Sequence, residues 1–209
     1  MTAGLGRLVL WRHGQTSYNV AHRFQGQLDI ELTPTGREQA RRAAPVLAGF
    51  APAVFVSSDL RRASETASAL STVTGAEARL DKRLRETHCG QWQGLTHDEV
   101  EAGWPGGLRE WRAVSTVAPP GGESRVEVAH RASQVVDEVD RELGGSGSEA
   151  ATALFCAHGG LIVGLTARLL GLPVGQWGAL AAVANCNWVV LERSTATGWR
   201  LRAYNAGPT

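Results

Sequence analysis

The chain has 209 residues, long enough for one substantial core, and 43% hydrophobic with 20% charged residues is a globular balance that excludes a disordered or fibrous architecture. Its 21 Lys and Arg against 20 Asp and Glu leave a formal charge of +1, so there is no general basic surface for nucleic acid or an anionic membrane and any anion site must be local. The cysteines Cys89, Cys156 and Cys186 are odd in number and have no close pair, which speaks against a disulfide framework or a four-ligand zinc site and fits a reducing compartment. Met1 to Trp11 is too short and wrongly flanked for a secretory signal, and the apolar region near Leu161 is interrupted by Thr166 and Arg168, so a soluble, cytoplasmic protein is expected.

Leu8 to Trp11 is a short apolar run that ends at Arg12-His13-Gly14, the pattern of a buried strand delivering polar residues to a loop. Thr33-Pro34 supplies a cap and a first helical residue, and Ala40, Ala43, Ala44 and Leu47 continue at helical spacing. Ala53 to Val56 reads as a second strand ending at Ser57-Ser58-Asp59, followed by a helix marked by Leu60, Ala63, Ala67 and Leu70. A third, weaker strand is expected from Glu77 to Leu80. Residues 87–122, rich in Gly, Pro and Trp and poor in periodicity, form a cap-like excursion within one domain spanning 1–209.

Ser124 and Glu127 make a capping box that opens a helix with Val128, Ala132, Val135, Val139 and Leu143 facing inward, ended by Gly144 to Ser148. Ala151 to Ala157 is a fourth strand reaching His158-Gly159-Gly160, and an apolar helix runs from Leu161 to about Leu170. Asn187 to Glu192 and Trp199 to Tyr204 close the chain as an antiparallel pair across Arg193 to Gly198. Alternating strands and helices imply an α/β fold, a three-layer sandwich whose mainly parallel sheet carries helices on both faces. Ligands of such sheets bind beyond the carboxyl ends of the strands, where three polar clusters lie here, at residues 12–14, 57–59 and 158–160.

If Arg12, His13, Arg62 and His158 meet there, the pocket fits a phosphoryl group. Arginine forks neutralise phosphate oxygens while leaving phosphorus open to attack. A neutral imidazole is nucleophilic near pH 7 without a metal when its other nitrogen is held as a donor. Glu86, shortly after the third strand, suits a general acid for the leaving oxygen and then a base for water. Each residue also has a plainer reading. Arg62 follows Arg61 and resembles a solvated helix charge, Glu86 sits in Arg83-Leu84-Arg85-Glu86 where a surface ion pair is the commoner fate, and His158 suits a satisfied core histidine. Their common placement near strand ends favours the site.

The order of motifs resembles the histidine phosphatase family, also called phosphoglycerate mutase-like. The resemblance begins at Leu8-Val9-Leu10-Trp11-Arg12-His13-Gly14-Gln15-Thr16 and runs through Asn19, Gln25-Gly26, Leu32-Thr33, Gly36 and Gln39-Ala40 to Ser57-Ser58-Asp59-Leu60-Arg61-Arg62-Ala63 with Thr66-Ala67. It continues in Arg83-Leu84-Arg85-Glu86, Gly90-Gln91-Trp92-Gln93-Gly94, Gly121-Gly122-Glu123-Ser124 and Ala157-His158-Gly159-Gly160. It implies that His13 becomes phosphorylated, that Arg12, Arg62 and His158 bind the transferring group, and that Glu86 donates the proton. It further implies that Asn19 and Gln25 lie at the phosphate pocket, with Gly159 offering a backbone donor. The implied partner is a small phosphorylated substrate, with neither nucleic acid nor membrane, and with no metal or organic cofactor; relatives are often dimers, for which the carboxy-terminal strand pair is the expected contact.

The family holds phosphatases and mutases, which differ in whether water or a second hydroxyl receives the phosphoryl group. A mutase needs extra cations for a second anionic group, and between Thr87 and Ser124 only Arg109 and Arg112 are basic. Trp92, Trp104 and Trp111 suit either an apolar wall for a bulkier substrate or packing within the cap. Hydrolysis of a small anionic phosphoester is therefore expected. The alternatives are a phosphoglycerate mutase, a non-catalytic phospho-ligand or protein-binding module on the same scaffold, and, without the ligand spacing for it, a metal hydrolase.

Overall fold

A computed structural model of the chain describes residues 4–144, 151–194 and 198–208. The strands are β1 (Leu5–Arg12), β2 (Val54–Ser57), β3 (Arg79–Leu80), β4 (Ala151–Ala157), β5 (Trp188–Ser194) and β6 (Gly198–Ala206), and they form one six-stranded sheet in the order β3-β2-β4-β1-β5-β6. The pairs β3–β2, β2–β4 and β4–β1 are parallel, whereas β5 runs antiparallel to β1 and β6 antiparallel to β5. The helices are α1 (Ser17–Val20), α2 (Pro34–Ala48), α3 (Arg61–Thr74), α4 (His97–Gly103), α5 (Gly107–Ala113), α6 (Arg125–Gly144) and α7 (Gly159–Leu169).

Strand alternation divides the apolar runs between two helical layers. Leu8 and Leu10 of β1 with Phe155 of β4 pack under Val128, Val135 and Val139 of α6 and Leu161 and Leu165 of α7. Val9 and Trp11 with Leu154 and Cys156 pack against Ala40, Ala43 and Leu47 of α2 and Ala63, Ala67 and Leu70 of α3. Burial of each large side chain stabilises by about 1.5–3 kcal/mol, so the sheet centre is the part of the molecule least free to shift. The fully buried Trp11 also satisfies its indole N–H on the Cys186 carbonyl at 3.1 Å.

The register of β1 against β4 places Arg12 opposite Ala157, so His13 and His158 leave neighbouring strands side by side. Ser57 of β2 lies opposite Cys156, which brings Ser58 and the first turn of α3 beside the same point. α2 starts as its sequence requires, with Thr33 capping Gly36 N–H at 3.0 Å and Pro34 in the first turn. At that start, a Cβ on Gly14 or Gly36 would run into backbone carbonyl oxygen, so the loop after His13 is seated closely on α2, where Gln39 Oε1 also accepts the Gln15 N–H at 2.9 Å. The capping box of Ser124 and Glu127 is formed, with bonds of 2.8 and 3.3 Å in the two directions.

Two expectations change in detail. The third strand contracts to Arg79–Leu80, both exposed at the sheet edge, because an edge strand with no covering layer has little apolar burial to extend it. The stretch 87–122 is not formless: a 3₁₀ turn at Gly90–Trp92 and the short helices α4 and α5 pack Trp92, Val100 and Leu108 into a small core of their own, flanked by Phe24, Trp104 and Trp111. The helix-ending run Gly144–Ser148 past Gly144, and 195–197 between the last two strands, lie outside the described residues.

Candidate active site

His13 is 2% exposed and its backbone N–H bonds the Ala157 carbonyl at 3.0 Å, tying it to the end of β4. Its Nδ1 lies 2.7 Å from the Gly14 carbonyl. A carbonyl only accepts, so Nδ1 carries the proton and Nε2 keeps its lone pair. Burial, reinforced by the guanidinium groups of Arg62 and Arg12, holds the His13 pKa well below the usual histidine value, so the ring is neutral at pH 7. Asn185 Nδ2 and Cys186 N–H both donate to the His13 carbonyl, at 3.1 and 3.2 Å, fixing its backbone from the other side.

Arg62, fully buried, donates from Nη1 to the Leu28 carbonyl at 2.7 Å, from Nη2 to the Gly26 carbonyl at 2.8 Å and from Nε to His158 Nδ1 at 3.2 Å. Burial lowers its pKa to about 10, which still leaves a cation at neutral pH. Its neighbour Arg61 points outward to Glu31 at 2.8 Å, so the solvated-helix reading applies to Arg61 alone. Arg12 donates from Nη1 to the Val183 carbonyl at 2.5 Å, while its buried Nε has no hydrogen-bond partner among the described residues. A buried guanidinium N–H left unmatched by the protein suits an incoming anion.

His158 is fully buried, its ring centroid 5.1 Å from that of His13. Because Arg62 Nε can only donate to its Nδ1, the proton sits on Nε2, which donates to Ser58 Oγ at 2.8 Å. Both nitrogens are thus engaged, and burial with the Arg62 charge keeps the ring neutral. The resemblance implies that His158 binds the transferring group; in the structure its Nδ1 is taken by Arg62 and it is not on the wall of the cavity beside His13.

Glu86 departs furthest from its plainer reading. The arginines around it take the ion pairs, Arg83 with Asp81 and Glu138 at 2.6 and 2.8 Å and Arg85 with Asp59 at 2.6 Å. The Glu86 carboxylate instead accepts from three backbone N–H groups: Thr87 at 2.8 Å, Gly160 at 2.9 Å and Leu161 at 3.0 Å. The last two belong to the first turn of α7, so the start of that helix fixes the position of the Glu86 side chain.

One cavity of about 170 Å³ gathers Arg12, His13, Arg62, Glu86 and Gln25 on its wall, together with Arg23, Thr87, Trp111 and Gly160. Gln25 is oriented by Thr16 Oγ1, 2.8 Å from its Oε1. Asn19 sits one layer back, its Oδ1 accepting from Asn185 Nδ2 at 3.2 Å and from Thr16 N–H at 3.0 Å. Gly159 opens α7 against Arg12, where a Cβ would stand 3.3 Å from the Arg12 Nε. Cys89 also reaches the cavity, but burial pushes its thiol up to about 12, which leaves it protonated and poorly nucleophilic. Among the described residues no group of three or more His, Cys, Asp or Glu side chains is arranged to hold a metal ion, and no helix is long and apolar enough to cross a membrane.

Sequence reasoning missed Arg131. From α6 it donates to the carbonyls of Arg83, Arg85 and Glu86 at 2.7, 2.6 and 2.9 Å and grips Glu123 at 2.9 Å, so it holds the segment that carries Glu86. A signal was available, since Arg131 lies three residues after Val128 and four before Val135, on the inward stripe of the helix. Arg23 and Thr87 had no such signal. Of the tryptophans, Trp92 and Trp104 pack the cap, and Trp111 does that and lines the cavity as well.

Residues 8–207 match the model of the histidine phosphatase superfamily (branch 1). Over 210 residues the chain is 50% identical to glucosyl-3-phosphoglycerate phosphatase of Mycobacterium tuberculosis, covering 96% of this chain and 94% of that protein. It has the same identity over 213 residues, again 96% and 94% of the two chains, to the protein of that name in Mycolicibacterium vanbaalenii. A solved structure of the mycobacterial glucosyl-3-phosphoglycerate phosphatase in complex with VO3 superimposes with a TM-score of 0.88 at 50% identity, covering 97% of this chain and 100% of the other. With the fold, the family match and near full-length relatives in agreement, the chain belongs to the histidine phosphatase superfamily, branch 1.

Proposed function

We propose that this chain is a phosphoric monoester hydrolase acting through a phosphohistidine at His13, and that its substrate is glucosyl-3-phosphoglycerate. The observation that carries the mechanism is the His13 tautomer: Nδ1–H is committed to the Gly14 carbonyl at 2.7 Å, which leaves Nε2 as a nucleophile between two guanidinium groups. In this reading Nε2 attacks phosphorus, the P–O ester bond breaks, and the alkoxide oxygen leaves with a proton from Glu86. Glu86 then takes a proton from water, the resulting oxygen attacks phosphohistidine, and phosphate departs as Nε2 regains its lone pair.

Arg12 and Arg62 neutralise the phosphoryl oxygens throughout, with Gln25 and the Gly159 N–H as further donors, Asn19 bracing Thr16 and Asn185 one layer back and His158 holding Arg62 in place. Hydrolysis is favoured over mutase activity because neither Arg109 nor Arg112 of the cap lines the cavity, which leaves Arg23 as the single cation there beyond Arg12 and Arg62, fewer than a second phosphoryl dianion calls for. The segments Arg83–His88, Trp92–His97 and Pro120–Arg125, which border the cavity or support its walls, resemble the glucosyl-3-phosphoglycerate phosphatases, and the named relatives support that substrate. The reading extends to one catalytic unit over 1–209, to the cytoplasm, where three free, buried cysteines are at home, and to a homodimer through the outer edge of β6, the last strand of the sheet.

The test is phosphate release from glucosyl-3-phosphoglycerate, 3-phosphoglycerate, mannosyl analogues and nucleotides. The glucosyl ester is expected to give the highest kcat/KM. A tenfold preference for another ester overturns the substrate, and conversion of 3-phosphoglycerate to its 2-isomer faster than phosphate release overturns hydrolysis.

A further inference from the structure

Three guanidinium groups reach the cavity: Arg12 and Arg62 beside His13, and Arg23 from the loop that follows α1. Arg23 is held differently from the other two. Both of its side-chain bonds run through Nη1, to the Gly94 carbonyl at 2.7 Å and to Glu99 at 2.9 Å, which latch the loop to the cap. Nε and Nη2 donate to no protein acceptor among the described residues. Nη1 holds the group in place while the Nε–Nη2 edge keeps two parallel N–H donors, the geometry that matches a carboxylate. Phe24 and Trp111, packed edge to face with ring centroids 5.6 Å apart, line the same cavity and give it an apolar wall, which strengthens a charge-assisted pair formed in that cavity.

A substrate whose phosphoryl group occupies the base beside His13 has its remaining polar groups at the cap, where Arg23 is the cavity's remaining cation. We infer that Arg23 is a specificity residue that recognises a carboxylate carried by the phosphoester. The inference deepens the function proposed above and rests on it, since a phosphorylated glycerate carries such a carboxylate close to its phosphate. It also accounts for a single cation there: one guanidinium matches a monoanionic carboxylate, whereas a second phosphoryl group calls for more.

A mere latch would also be weakened by substitution, so the test compares substrates rather than total activity. Phosphate release is measured for glucosyl-3-phosphoglycerate and its analogue with the carboxylate reduced to a hydroxymethyl group, and likewise for 3-phosphoglycerate and glycerol 3-phosphate. In the wild type the carboxylate member of a pair is expected to have a kcat/KM about 30-fold or more higher, because a site built for a polar group is left unpaired by the analogue lacking it. Arg23→Ala is expected to bring that ratio within about threefold while leaving the reduced esters within about threefold of wild type. Arg23→Lys, which keeps a cation able to hold the cap, is expected to fall between the two. Equal loss on both members of a pair, or a preference that survives in both variants, overturns the assignment. Wild-type hydrolysis of only the sugar-free pair sinks the glucosyl reading instead, and Arg23 is then decided on that pair.

Discussion

The base and the rim of the cavity are built on opposite plans. At the base, His13, Arg62 and His158 sit at the ends of parallel strands or in the first turn after one, each at most 2% exposed and bonded on nearly every polar atom. At the rim, Arg23 and Trp111 come from a loop and a short helix, packed on a core of only a few side chains and more open to solvent. The base can hold a nucleophile to within a fraction of an ångström because the whole sheet core resists its displacement. The rim has no such backing, so it can be altered without disturbing the chemistry beneath it. On the function and the specificity role proposed above, the reaction and the choice of substrate fall to parts with different mechanical support.

Substitutions that respect or violate this division should separate sharply. His13→Ala is expected to lower phosphate release by roughly 10⁴-fold or more on every ester and to abolish acid-labile labelling of the protein by a phosphoryl donor, since the nucleophile has no substitute. Residual labelling would move the nucleophile elsewhere. Glu86→Gln is expected to cost about 10²- to 10⁴-fold on alkyl phosphates and under about tenfold on 2,4-dinitrophenyl phosphate, whose leaving group needs no proton. A loss independent of the leaving group would remove Glu86 from the acid role.

A pH series probes the base as a whole. The folded-state pKa values of His13 and His158 lie well below the ordinary 6.5, so the unfolded chain binds more protons than the folded one in the window beneath that value. Their contribution to stability is full above about pH 6.5 and is lost as pH falls toward the folded values. Tm should therefore decline between pH 6.5 and 5, while the acid limb of kcat/KM should lie below 6.5. A limb at or above 6.5 would mean that His13 is not held neutral by burial. The smallest change is expected from Arg61→Ala, which removes only an exposed pair with Glu31: activity within twofold, stability within about 1 kcal/mol. A large effect there would erase the contrast with Arg62 next to it.

Much of the base was legible in the sequence because strand ends announce themselves. Four short apolar runs, three of them closing on polar clusters, give both the layers and the place where Arg12, His13 and His158 converge. The pairing register then does the rest, with Arg12 opposite Ala157. What the sequence could not reveal depends on irregular backbone. Nothing in the run from Arg83 to Glu86 says that its arginines would take Asp59, Asp81 and Glu138 and leave Glu86 to the start of α7, because Asp59, Glu138 and the head of α7 come from distant segments and only Asp81 is a near neighbour in the chain. Arg23 is illegible for the same reason. The short helices α4 and α5 escaped notice because seven-residue helices in a Gly- and Trp-rich segment are stabilised by tertiary packing rather than by propensity.

The three amide bonds to Glu86 make its protonation audible at a distance. Any proton that arrives at that carboxylate must weaken what Gly160 and Leu161 feel at the head of α7. Nitrogen-15 shifts and exchange rates of those two amides would therefore track the acid through a titration or a slow turnover, giving the enzyme a built-in spectroscopic readout that needs no label on the side chain doing the chemistry.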